Sequence, residues 1–194
     1  MILGYKKIFW GTILTIFHLN LGTIEILPNF IGFLIISAGI KEILCKYDNQ
    51  NIRMALKINR VQVYISCIIF ISPFIIPSIG FDKYFNNTIL TTIWFNINYI
   101  LEIICTVKLL EGASEILSDN FNNYWGDIYI NKTISYIYLD SIVLIVCNIN
   151  FIFISELTAF LIAIYAMIIK IWVVFSFRKL YTHKFDVGYR YINK

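Results

Sequence analysis

A chain of 194 residues in which 59% are hydrophobic, 14% carry a charge and the mean hydropathy is +0.73 falls outside the composition of water-soluble domains. Its net charge of +4 is modest, so the expected partner is the lipid bilayer, with other membrane subunits or a second copy of the chain as further candidates and no nucleic acid. The four cysteines and two histidines form no CxxC pair and no set of metal-site spacing, so no cofactor or metal is expected.

A hydrocarbon core about 30 Å thick needs about 20 helical residues at 1.5 Å each, and every backbone amide must bond within its own segment. Charge-poor runs of that kind recur over 5–23, 28–45, 61–79, 88–110, 134–154 and 157–177. The expectation is a single all-α domain, a polytopic transmembrane helical bundle of about six spans.

The first run follows Lys6 and Lys7, and no small-x-small site precedes the next run, so it is expected to stay as an anchor. Gly4, Gly11, His18 and Glu25 repeat along it at intervals of seven. The second run opens on Pro28, suited to a first helical turn, and carries Gly32 and Gly39 at the same interval. The four glycines predict a close-packed helical hairpin; the alternative is that glycine is simply frequent in membrane helices. The stretch Ile26-Leu27-Pro28-Asn29-Phe30-Ile31-Gly32-Phe33 resembles the ILPDxIGY-type signature near the N-terminus of small multi-spanning membrane proteins of low-GC Gram-positive bacteria. Asn29 and Phe33 depart from the Asp and Tyr of that pattern. The resemblance implies the class and brings no activity with it.

The third run holds Pro73 and Pro77, which are expected to kink or end its helix. Before it, Arg53, Lys57 and Arg60 form a basic face at i, i+4, i+7. That face could meet a polyanion, although topology alone explains its charge. Between the fourth and fifth runs, 111–132 reads as the longest loop. In it Leu117, Phe121, Tyr124, Trp125 and Ile128 suggest a short interfacial helix, or one contacting the basic inner loop or tail. Residues 178–194 read as a short basic tail.

Orientation follows from the basic residues. With the N-terminus inside, Lys6, Lys7, Lys41, Lys46, Arg53, Lys57, Arg60, Lys108, Lys132, Arg178, Lys179, Lys184, Arg190 and Lys194 are inner, 14 of the 16 Lys and Arg. Both termini are therefore expected in the cytoplasm of a cell-membrane protein. The cysteines, Cys45, Cys67, Cys105 and Cys147, stand singly in or beside four different runs and read as small packing residues.

Glu102, Asp140 and Lys170 are charges inside apolar runs, each costing at least about 2.5–3.5 kcal/mol if left unpaired at the bilayer centre. Counted along their runs they lie at similar depth, which predicts that Lys170 pairs with Glu102 or Asp140. Asn98, Asn148, His18 and Glu25 add polar points that could line a path. The set reads either as a strut that fixes helix packing or as a cavity that handles a proton or a solute.

No GxSxG, HExxH, Walker A or intramembrane-protease carboxylate pair is present, so an enzyme is not expected. The first expectation is a non-enzymatic accessory or interaction protein working through helix contacts, for which the Gly32/Gly39 groove is suited. The alternative is a small transporter or solute-binding membrane subunit. In size and topology the chain is similar to the substrate-binding subunits of energy-coupling-factor vitamin transporters, but the alanine-rich coupling motif of their first helix is absent from 8–21.

Overall fold

The computed structural model describes residues 2–16, 20–21, 24–25, 28–75, 88–121, 123–153 and 156–182. Among them the chain forms six helices: α1 (Ile2–Ile16), α2 (Asn29–Leu44), α3 (Gln50–Ile75), α4 (Thr88–Asn120), α5 (Asn123–Phe153) and α6 (Glu156–Thr182). A two-residue antiparallel ladder, β1 (Asn20–Leu21) with β2 (Ile24–Glu25), stands between α1 and α2. The fold is all-helical. Four helices, α3 to α6, are long and apolar enough to cross a membrane. At 15 and 16 residues, the described parts of α1 and α2 measure about 22–24 Å, and α2 coincides with the expected run 28–45 to within a residue at each end.

Each helix packs on its neighbour in sequence, and α6 returns to α1, so the six form a ring. Consecutive helices are antiparallel, as the α4–α5 pairs Tyr99–Asp140 and Ser114–Gly126 require. The ring closes through Tyr5 stacked on Phe177 at 6.5 Å and Phe9 edge-on to Tyr181 at 5.4 Å. Because the helices alternate, the start of α1, the α2–α3 turn, the α4–α5 turn and the end of α6 gather at one end, here called the basic end.

The α1–α2 hairpin is built by backbone contact. A Cβ added at Gly11 would stand 2.8 Å from the Gly32 carbonyl oxygen, and one at Gly39 would stand 2.6 Å from that of Gly4. Gly4 and Gly32 meet the opposite carbonyls at 2.8 and 2.9 Å. Two glycine pairs seven residues apart therefore let the helices touch along two full turns, where weak Cα–H···O contacts add to dispersion. Lys7 and Glu42 close the basic end of the hairpin at 2.8 Å.

The helices overrun the apolar runs that announced them. At 33 residues, α4 is about 50 Å long, some 20 Å more than a hydrocarbon core. Of the segment 111–132, expected as a loop, 111–120 are the end of α4, Phe121 is a turn residue and 123–132 are the start of α5. Packing explains the difference. Ile116, Leu117 and Tyr129 are buried, Ser114 Oγ donates to the Gly126 carbonyl at 2.7 Å, and Gly126 leaves room only for the Ser118 side chain. The same extension receives α3. Asn49 accepts from the Ile52 amide at 3.0 Å and caps that helix, while Asn49 and Asn51 donate to Glu115 at 2.7 and 2.8 Å. The acidic segment thus meets the inner loop through amides, and Arg53, Lys57 and Arg60 stay exposed.

Pro73 lies within α3, two residues from its last described residue, and Pro77 lies outside the described residues. Of the tail, Arg178 to Thr182 continue α6, and 183–194 lie outside the described residues.

Candidate functional site

The site grows from one polar face on each of three helices. On α6, Ala159, Ala163, Ala166 and Lys170 recur at i, i+4, i+7, i+11, a stripe of small side chains ending in an ammonium. On α4, Phe95, Asn98, Tyr99 and Glu102 share a face, and on α5 Val143, Cys147 and Asn150 do so. Together with Ile162 these residues line a half-open cavity of about 440 Å³, within the size range of small-molecule sites.

Glu102 and Lys170 each stand 14 residues from the helix end opposite the basic end, counted from Thr88 and Glu156. That puts both about 21 Å in, at the floor of the cavity, whose upper walls are Phe95, Asn150 and Ala159. Lys170 Nζ lies 2.8 Å from Glu102. The two side chains keep 27% and 28% exposure, so the pair forms the cavity floor and is not sealed in the core. Asn98 turns its amide to the Trp94 carbonyl at 2.9 Å, one turn above Glu102.

Asp140 does not take Lys170. It is 2% exposed and accepts from the Tyr99 hydroxyl at 2.6 Å, with Tyr136 as a second side-chain partner. Two phenols on adjacent helices hold this carboxylate behind the cavity wall, and Tyr99 both lines the cavity and bonds the acid behind it. Toward the open end Asn148 and Asn96 exchange hydrogen bonds at 2.7 and 3.0 Å, and Asn148 also donates to the Leu144 carbonyl at 2.7 Å.

The remaining candidates fall elsewhere. Gly4, Gly11, Gly32 and Gly39 lie at the α1–α2 contact, away from the cavity. Glu25 belongs to the short ladder, where its backbone pairs with Asn20, and His18 lies outside the described residues. Three participants escaped the sequence reading: Asn96, Tyr99 and Tyr136. A signal existed for Tyr136, which precedes Asp140 by four on the same helical face. Tyr99 and Asn96 look like ordinary interface residues until α5 is docked.

A second buried polar point joins α2 to α3, where Asn59 donates to the Phe33 carbonyl at 2.8 Å and to Ser37 Oγ at 2.7 Å. Among the described residues no group of three or more His, Cys, Asp or Glu side chains is arranged to hold a metal ion.

Fold and site define the class: an all-helical protein with four membrane-length helices and a charged cavity between three of them. Comparison with protein-family profiles, curated proteins and solved structures finds no match for this chain.

Proposed function

We propose that the protein is a multi-pass membrane protein, basic end in the cytoplasm, that binds a small solute in the α4–α5–α6 cavity without transforming it. The outer surface supports the membrane setting. Ile142, Ile145, Ile164, Met167, Ile168 and Phe175 are all exposed on α5 and α6, an apolar expanse that water-soluble monomers rarely present. The exposed basic residues Lys6, Lys41, Lys46, Arg53, Lys57, Arg60, Arg178 and Lys179 lie toward the basic end, which supports the orientation.

The observation that carries the solute-binding reading is the Glu102–Lys170 pair at the floor of a cavity of about 440 Å³. A pair serving only as a strut needs no adjoining space, whereas this one borders a cavity lined by three helices. The competing reading is a protein acting through helix–helix docking. The Gly32/Gly39 groove that suggested it is filled by Gly4 and Gly11 of the same chain.

The test is native mass spectrometry of the protein released gently from its host membrane. The wild type is expected to carry a bound small molecule. Ala163→Trp, which fills the cavity from an exposed position on α6, is expected to retain the fold and lose that mass. Equal adducts on both proteins, or none on the wild type, would count against this reading.

A further inference from the structure

Three features of the cavity, taken together, specify the charge and shape of what it accepts. The first is its ionisable census. Among the described residues Glu102 and Asp140 are the acids and Lys170 the basic side chain at this level; Lys170 bonds Glu102 at 2.8 Å, and Asp140 takes its hydrogen bonds from phenols.

The second is aromatic. Phe95 and Tyr99 both line the cavity and stack on each other at 5.6 Å and 11°. The Tyr99 hydroxyl donates to Asp140 at 2.6 Å, which pushes electron density into the ring and strengthens its attraction for a cation.

The third is access. At the mouth of the cavity Leu157, Thr158, Ala159, Phe160 and Leu161 are all exposed, Leu157 at 70% and Phe160 at 63%. The first turn of α6 is held to α5 through Thr158 and Asn150 and presents Leu157, Phe160 and Leu161 outward. This opens the cavity sideways at the depth of the apolar surface.

We infer that the ligand is a hydrophobic monocation, a protonated amine or quaternary ammonium on an apolar body, that enters laterally past the first turn of α6 and rests against Phe95 and Tyr99 above Glu102. This rests on the solute-binding reading and adds the sign of charge and the route. An anion of the same shape would meet the acid behind Tyr99 and two electron-rich ring faces, while the Glu102–Lys170 pair carries no net charge to attract it. A hydrophilic cation would lack the contact with Val143, Ile162 and Ala166.

The test uses two isosteric lipophilic ions of opposite sign, tetraphenylphosphonium and tetraphenylborate, titrated onto the full-length protein in one neutral detergent. Saturable binding of the phosphonium is expected, at least about tenfold tighter than that of the borate. Glu102→Gln is expected to weaken it by about tenfold, and Ala163→Trp to abolish it. Tighter borate binding, or phosphonium binding indifferent to both substitutions, overturns the inference. If neither ion binds while the wild type still carries a cavity-dependent native adduct, the cation assignment fails and the solute-binding reading stands. If the adduct is missing as well, both fail.

Discussion

Replacing Gly11 with valine is expected to separate α1 from α2 and to lower the apparent melting temperature of the detergent-solubilised protein by on the order of 10 °C. The reason is distance. The first atom beyond Cα at position 11 would lie 2.8 Å from the Gly32 carbonyl oxygen and 2.9 Å from the Ile36 amide nitrogen. Both are backbone atoms of a neighbouring helix, and neither can rotate away. Relief requires moving the helices apart by an ångström or more, which forfeits much of the dispersion along two turns. Overpacking costs typically about 1–3 kcal/mol, and displacement of backbone puts this case at the upper end. Ala38→Val is the control. Ala38 lies on the same helix as Gly32 and Gly39 but is exposed, and its enlargement should leave melting within about 2 °C. A thermal scan followed by size-exclusion chromatography reads both.

Removing the Lys170 ammonium is the second large effect. Lys170→Met leaves Glu102 at the cavity floor without its cation. Breaking a fully buried pair costs about 3–5 kcal/mol. Here each partner retains 27–28% exposure, so the expected loss is about 2–3 kcal/mol, reduced by whatever water the cavity admits. The double variant Lys170→Met/Glu102→Gln removes the stranded charge and should recover most of that stability, because an uncharged pair of similar volume is tolerated where a single charge is not. Recovery of folding without recovery of ligand binding would separate the site from the strut. A double variant as unstable as Lys170→Met alone would mean that the carboxylate was not the source of the damage.

The sequence carried the apolar centres of the helices and little of their ends. Hydropathy located 88–110 and 134–154 because lipid-facing surface must be apolar throughout. It was silent about 111–133, where helix is kept by contacts that hydropathy does not record: Ser114 on Gly126, Glu115 on Asn49 and Asn51, and Ile52 over Gly112. The polar residues that made this stretch look like a loop are the ones that tie it to α3. At α1 the apolar run extends to residue 23, and the described part of the helix covers Ile2–Ile16.

The candidate site was legible in part for the same reason. Charges stand out in an apolar run, so Glu102, Asp140 and Lys170 were visible at once, and equal depth brought them to one level. The choice between Glu102 and Asp140 as partner of Lys170 depends on helix rotation and on two tyrosines that look unremarkable in sequence. Tyr99 and Tyr136 satisfy Asp140, which leaves Glu102 for the ammonium. The cavity itself had a faint sign, three alanines at helical spacing leading to Lys170.

The most direct measurement is the reactivity of Cys147, a thiol native to the cavity wall. In a protein with Cys45, Cys67 and Cys105 replaced by alanine and reconstituted in vesicles, a small, uncharged, membrane-permeant methanethiosulfonate is added. The cavity described here predicts that Cys147 is modified at a measurable rate and that Ala163→Trp slows the modification by at least about tenfold, since the indole fills the space the reagent must enter. An unreactive Cys147, or one equally reactive with and without the tryptophan, would contradict it.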